Sequence, residues 1–424
     1  MALFIATIFT AHALLPHGST SPNTPGMDFI AFYTAGTFVD EGRADKLYDL
    51  AAMQQFQHEL AQRSGLSLGQ GYGPWWNPPF HALVFAPLSM LSYQQALVVW
   101  IALNLACAAA GAVLLCRMLP PKTSWKTWAL APVLMVLSTP FIFAISHGQN
   151  TCISLLILSI AVLLWRQKRG IAAGMVGGLL LYKPQLAAAL AVVMMLDVGG
   201  RCALGYAITG AGLLLLNLAA LPGTLSDFVH RMPVNLHLVQ THSVYLWERH
   251  VTFTAFWRLL LQGHHTGESA TAVRLLATIC MAGFGSLLAV AILRLRRSGR
   301  GSVASWQRDR LISATILCSP LLMPFYFDYD LLLLAIPAVL LAAERMQREP
   351  GAEIPAIDRA QLIVWPVFYV WLMLNPDVGE RTRLILAVPL LAALAGLSIA
   401  RLNSRREVVH KQLRPAVPKL AVAA

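Results

Sequence analysis

Residues 95–116 read QALVVWIALNLACAAAGAVLLC. The stretch carries no charge, and as an α-helix rising about 1.5 Å per residue it matches the roughly 30 Å hydrocarbon core of a bilayer. Working outward from it, apolar runs of similar length recur at 127–145, 203–221, 271–293 and 384–400. Shorter runs lie at 2–15, 152–165, 170–182, 186–197, 311–323, 329–344 and 361–375. The stretches 80–93 and 252–262 read as segments along the membrane interface. This pattern predicts an all-α polytopic membrane protein with about 10–13 transmembrane helices and a large first non-cytoplasmic loop.

Composition agrees. Of 424 residues, 57% are hydrophobic and only 12% charged, against about 25% charged in soluble proteins. The net charge of +12 would suggest nucleic acid in a soluble chain. Here Lys and Arg fall mostly in short connections and the tail, so no nucleic-acid partner is expected. Cys107, Cys116, Cys152, Cys202, Cys280 and Cys318 form no C-x-x-C pair and read as small buried hydrophobes rather than a disulfide framework. Residues 2–15 lack a basic n-region and a clean small-residue cleavage site, so they read as a first transmembrane helix shortened at its start.

Charge sets the expected orientation. With twelve helices and the N-terminus inside, the inner segments 117–126, 166–169, 198–201, 294–310, 345–359 and 401–424 hold 22 Lys and Arg. The outer segments 16–79, 183–185, 222–262 and 376–383 hold 9. Both termini are then cytoplasmic, and most His, Asp and Glu lie on the outer side, where any chemistry is expected. The cytoplasmic face reads as a plain basic surface. The reading gives one transmembrane domain over 1–400, with outer loops at 16–79 and 222–262, and a basic, disordered tail over 401–424. There is no internal repeat of the kind many transporters use.

Several polar residues are not explained by spanning a membrane. Asp28, in GMDFIAFYTAG (26–36), sits at the expected membrane boundary. It suits a helix cap or a catalytic carboxylate. In YGPWWNPPF (72–80), Trp75, Trp76 and Asn77 suit either a rigid interfacial turn or stacking on a sugar. His147, Gln149 and Asn150 share a tight HGQN turn. Lys183 and Gln185, in YKPQ, lie between apolar runs, and a lysine at membrane depth is a functional candidate unless it snorkels outward. Tyr326, Asp328 and Asp330 open a helix in YFDYD, where one carboxylate can cap and the pair can bind a divalent metal; no third ligand is visible. The loop 222–250 contributes His230, Asn235, His237, Gln240, His242, Trp247, Glu248 and His250, but no zinc motif. Nucleotide-binding and G-x-S-x-G motifs are absent, so an outer-face enzyme would need a donor carried on a lipid.

Taken in order, MDFIAFYTAG, LYD, WNPPFHALVFAPL, Trp100 with Asn104, HGQN, YKPQ and SPLLMPFYFDYDLLLL give a chain that resembles the bacterial family 87 glycosyltransferases over roughly 26–400. This is a branch of the GT-C superfamily that includes polyprenol-phosphate-mannose-dependent mannosyltransferases. The resemblance implies a GT-C-like bundle in the bacterial inner membrane. It implies sugar transfer from a polyprenyl phosphate to a lipid or glycan acceptor, with inversion, on the non-cytoplasmic face; mannose is the sugar of some relatives. Asp28 matches the family's essential first-loop aspartate, so the implied role is general base. Lys183, with Gln185 nearby, would hold the donor phosphate; His147, Gln149 and Asn150 would contact sugar or phosphate; Trp75 and Trp76 would stack on the acceptor. No cofactor beyond the lipid-linked donor is firmly implied, a divalent metal stays open, and no obligate protein partner is evident. One departure stands out: some relatives carry a His within the stretch matching 319–326, and this chain has none there. A transporter or flippase for a lipid-linked or small solute is the main alternative, with Lys183 and Asp328 as coupling charges. A membrane O-acyltransferase using His147, or a structural assembly protein, is a third.

Overall fold

The computed structural model describes residues 26–66, 68, 71–121, 123–243, 245–298, 305–348 and 353–403. The expected helix at 2–15 and the tail beyond 403 lie outside them. Every regular element among the described residues is helical, apart from one isolated antiparallel bridge between His250 and Phe327.

The described residues ahead of Tyr93 form a folded module. Helix α1 (Phe29–Asp40) is buried along most of its length. Helix α2 (Leu50–Ser64) is capped by Asp49, whose carboxylate accepts from the Ala52 N–H at 3.1 Å, and ends at left-handed Gly65. Two short helical turns, Pro79–Val84 and Ala86–Ser89, follow. They press so closely on α1 that a β-carbon at Gly36 would collide with the Phe85 carbonyl. Phe29, Phe32, Phe85 and Trp100 stack at the centre of this module.

The apolar helices follow. Helix α3 (Tyr93–Cys116) opens with a Ser92–Gln95 capping box. Helices α4 (Trp125–Val136) and α5 (Thr139–Ser146) are two halves of the expected 127–145 span, bent by 52°. Ser138 caps the second half and Pro140 fits its first turn, which explains the break. Then come α6 (Thr151–Arg166), α7 (Gly170–Gly178), α8 (Pro184–Val198) and α9 (Gly200–Ala220). Helices α10 (Thr224–His242) and α11 (Phe253–Gln262) follow. Helices α12 (Thr271–Ser298), α13 (Ser305–Cys318), α14 (Ala335–Met346), α15 (Ala356–Thr382) and α16 (Ala387–Asn403) complete the bundle.

Helices α3, α9, α12 and α15 are long and apolar enough to span a membrane, and the bent α4–α5 pair makes a fifth. Length alone therefore does not reach the expected count. The runs at 152–165, 170–182 and 186–197, and the run at 384–400, form apolar helices of 10–17 residues. Those at 311–323 and 329–344 pass into 3₁₀ turns at Pro320–Leu322 and Asp328–Leu334. Broken helices are tolerated at membrane depth where the freed backbone faces protein or a polar cavity. The breaks at Gly148, Lys183 and Asp328 converge on such a polar region. With no strand among the described residues and this set of apolar helices, the chain is an all-α polytopic membrane protein.

Glycines set the tightest packing. Gly170, Gly174 and Gly178 recur at i, i+4 along α7 and face α9. A β-carbon at Gly174 would strike the Cys202 carbonyl, and one at Gly205 would strike the Ile171 carbonyl. Such small-residue faces let helix backbones meet where lipid supplies no hydrophobic drive.

The helix ends away from the HGQN turn correct one expectation. The arginines there are not a plain basic surface. Arg310 donates to Glu344 at 2.6 Å, Arg401 bridges Glu344 and Asp358 at 2.8 and 2.7 Å, and Arg308 reaches Asp197 at 2.7 Å, all of them buried. Arg166 forks onto Asp309 at 2.8 and 3.1 Å. Carboxylates spread through the sequence meet these arginines only after folding, and burial requires them to pair.

Candidate active site

Asp28 stands just ahead of α1, in helical backbone, and makes no side-chain capping bond. The cap reading of this residue therefore fails. The chain here is clamped to the turn after α5. Gly26 N–H donates to the Ser146 carbonyl at 2.7 Å, and Asp28 N–H to the His147 carbonyl at 3.0 Å. Gln149 Nε2 donates to Asp28 Oδ2 at 2.7 Å. Asp28 Oδ1 has no partner among the described residues.

Gly148 makes this possible. Its φ of +70° lies in the left-handed region, and a β-carbon would come within 2.8 Å of Phe29 Cβ. Trp100 Nε1 fixes the turn by donating to the Gly148 carbonyl at 2.8 Å.

His147 faces the other way. Its Nδ1 lies 2.8 Å from the Phe143 carbonyl and so carries the proton. Its Nε2 accepts from Arg249 Nη1 at 3.0 Å. Burial, followed by the charge of Arg249, holds the His147 pKa below the usual histidine value. Arg249 also forks onto Asp328, with Nε to Oδ2 at 3.1 Å and Nη2 to Oδ1 at 2.9 Å. The guanidinium packs 5.3 Å from the Phe143 ring centre and 5.8 Å from that of Tyr329.

A second buried pair lies beside the first. Lys183 Nζ donates to both oxygens of Asp330, at 2.9 and 3.2 Å, and Thr151 Oγ1 donates to Oδ1 at 2.9 Å. The ammonium sits 5.2 Å from the Tyr329 ring centre, so this one ring borders both cations. Lys183 is 5% exposed and does not snorkel outward. Asp328 and Asp330, the candidate metal ligands, each hold a cation instead. Among the described residues no three metal-ligand side chains converge.

The other candidates divide. Asn150 is fully buried beside this network, yet neither atom of its side-chain amide has a hydrogen-bond partner among the described residues. Tyr326 is buried, with its hydroxyl 3.3 Å from the Asp330 carbonyl and its own carbonyl accepting from Val251 N–H at 2.9 Å. Trp75 corrects its expected exposure. It is 2% exposed and stacks on His81 at 5.8 Å within the first-loop core. That leaves Trp76 as the partly exposed indole. Asn77 uses its carbonyl to accept from the Tyr48 hydroxyl at 2.7 Å, holding the turn to the start of α2. Gln185 occupies the first turn of α8, and its side chain makes no hydrogen bond among the described residues.

The sequence reading passed over Arg249, which lies between Glu248 and His250 in a loop without local pattern. Its partners His147 and Asp328 are 102 and 79 residues away. Next to the stretch 319–326, which holds no histidine, the structure places one from the 222–262 segment. His250 bridges to Phe327 with ring centres 4.0 Å apart, and burial followed by Arg249 lowers its pKa to about 3.

A half-buried carboxylate aimed by an amide, within the field of Arg249 and Tyr329, is a site suited to proton abstraction next to a developing anion. No curated protein and no solved structure matches the chain. The family model described as Glycosyltransferase family 87 matches residues 75–324, more than half of the chain, and takes in the HGQN turn, Lys183 and Arg249. The chain belongs to glycosyltransferase family 87 and is a membrane glycosyltransferase.

Proposed function

We propose that the protein transfers a sugar from a polyprenyl phosphate to a lipid or glycan acceptor on the non-cytoplasmic face of a bacterial inner membrane, inverting the anomeric centre. Asp28 is the general base. Its Oδ1 takes the proton of the acceptor hydroxyl as that oxygen bonds to C1 of the sugar. The bond from C1 to the phosphate oxygen breaks, and its electron pair leaves with the polyprenyl phosphate. Lys183 and Arg249 stabilise the phosphate charge, sharing themselves between it and Asp330 and Asp328. The amide of Asn150 supplies hydrogen bonds to the sugar or phosphate; a buried amide left without partners costs about 1–3 kcal/mol, so a ligand for it is expected.

The observation that carries this reading is Asp28, with one oxygen held by Gln149 at 2.7 Å and the other open, and with the charge of Arg249 close enough to act on it. The lipid part of the donor is supported by an apolar groove of about 220 Å³ between α4–α5, the 331–346 stretch and α15. Leu331 and Leu332, directly after Asp330 in sequence, line it together with Pro140, Leu119 and Met346. An isoprenoid chain is the occupant we assign to it.

The test is transfer of label by the purified protein in bilayers, from a panel of radiolabelled polyprenyl-phosphate sugars into host lipid extract, beside Asp28→Asn. Mannose is the first sugar to test. A labelled product formed by wild type and not by Asp28→Asn supports the reading. Movement of lipid or solute across the bilayer without transfer from any donor would replace it with transport.

A further inference from the structure

The end of α14 farthest from the active site carries a charge imbalance that the transferase chemistry does not use. Arg345 and Arg348 both reach one oxygen of Asp358 in the first turn of α15. Arg345 Nη2 is 3.1 Å from Asp358 Oδ2, Arg348 Nη2 contacts the same atom, and Arg401 Nε takes Oδ1 at 2.7 Å. One carboxylate thus faces three guanidiniums, of which Arg401 is also paired with Glu344 at 2.8 Å. Arg345 Nε and Nη1 are buried and have no hydrogen-bond partner among the described residues.

Placement at a helix C-terminus and across from a helix N-terminus explains why an Arg–Asp contact forms here. It does not explain two arginines on one oxygen. Two partly buried arginines that share one carboxylate oxygen leave positive charge over, which a further anion would balance. The side chains of Arg345 and Arg348 remain 13% and 20% exposed, which leaves a path for one. A phosphate fits the planar donor forks of two arginines.

The surroundings point to the membrane as its source. Met346 and Ile354, flanking the arginines in sequence, expose 41% and 39% of their surface although both are apolar. Helix α15 runs from Asp358 to Asn375, which touches the Glu248 carbonyl beside the active site, so the arginines lie at the opposite membrane face. We propose that Arg345 and Arg348 bind the phosphate headgroup of an anionic phospholipid in the leaflet opposite the active site. Basic pockets between helix ends recognise such headgroups.

The full chain in bilayers of equimolar phosphatidylglycerol and phosphatidylcholine would be examined by native mass spectrometry. Wild type is expected to retain phosphatidylglycerol by roughly tenfold over phosphatidylcholine. Arg345→Gln with Arg348→Gln should fall near parity, while Arg359→Gln, a neighbouring exposed arginine, keeps the preference. Parity in wild type, or full preference in the double variant, overturns the proposal. If the double variant does not fold, wild type in phosphatidylcholine nanodiscs is titrated with phosphatidylglycerol. A saturable rise in melting temperature is expected, and no rise overturns the site. Inorganic phosphate giving the same rise in pure phosphatidylcholine would make the ligand a soluble phosphate and overturn the lipid assignment.

Discussion

Gln149 and Asp28, 121 residues apart, meet at 2.7 Å, and the contact aims one carboxylate oxygen while leaving the other open. In the proposed chemistry this bond orients the base. Asp28→Asn should lower transfer by about 10²–10⁴-fold, the usual contribution of a positioned base. Its melting temperature should stay close to wild type, since Asp28 holds no buried cation. Gln149→Ala should lower kcat by roughly tenfold with little change in KM, because alignment is lost and the base remains. Transfer assays paired with thermal unfolding check both.

Arg249 and Asp328 are predicted to stand or fall together. Arg249→Met leaves the Asp328 carboxylate buried and unpaired, at a cost of about 3–5 kcal/mol. Combining it with Asp328→Leu should recover most of the stability but not the transfer activity. Arg249→Lys should restore charge without the two-pronged bond and remain well below wild type. Unfolding midpoints of the single and double variants give the coupling directly.

Lys183 allows a sharper separation of roles. If it only neutralises Asp330, then Lys183→Met with Asp330→Leu should be as active as wild type. The proposed phosphate contact requires the double variant to stay inactive even when folded. Full activity in that variant would sink the phosphate role.

The His147 environment fixes a pH response. Its pKa is depressed in the folded protein, so the unfolded chain binds a proton first as pH falls. Stability from the neutral ring is therefore complete above the ordinary histidine pKa of about 6.5 and declines as pH drops toward the folded value. Transfer should not follow an ordinary histidine titration between about pH 8 and 6.5. His147→Gln, which keeps an acceptor for Arg249, should flatten the acid-side loss of stability. Melting curves against pH test this.

Gly148→Ala tests the clamp between the two loops. The left-handed backbone and the 2.8 Å approach to Phe29 both oppose a β-carbon. A loss of about 1–3 kcal/mol is expected, with transfer reduced beyond what the lost stability explains. Activity measured well below the variant's melting temperature separates the two effects.

Much of this site can be read in the chain before folding, because its turn residues are local signals. Asp28 at a membrane boundary, a glycine-centred HGQN turn and a lysine before a proline each stand out against apolar neighbours. What could not be read was pairing over long separations. Arg249 looks like any loop arginine until His147 and Asp328 arrive. Arg310 and Arg401 look like a basic surface until Glu344 is folded between them. Trp75 failed for a related reason. An indole beside two prolines suits an exposed platform, but Phe32 from α1 encloses it, together with His81 and Phe85 from the turns that fold back just after it. The bundle itself was legible from hydropathy, except where helices break near the site and their apolar runs fall short of a full span.

The glycine face between α7 and α9 sets where the molecule can bend. With backbone against backbone, the two helices have no compliant side-chain layer between them and move as a single strut. Lys183 sits at the end of the short turn that extends α7, and Pro184 interrupts the hydrogen-bond ladder just beyond it. The lysine is therefore mounted on the stiff side of a fulcrum. Any stroke needed to admit or release a substrate must be taken up by α8 and its neighbours, leaving the ammonium a fixed point against which the rest of the catalytic end can swing.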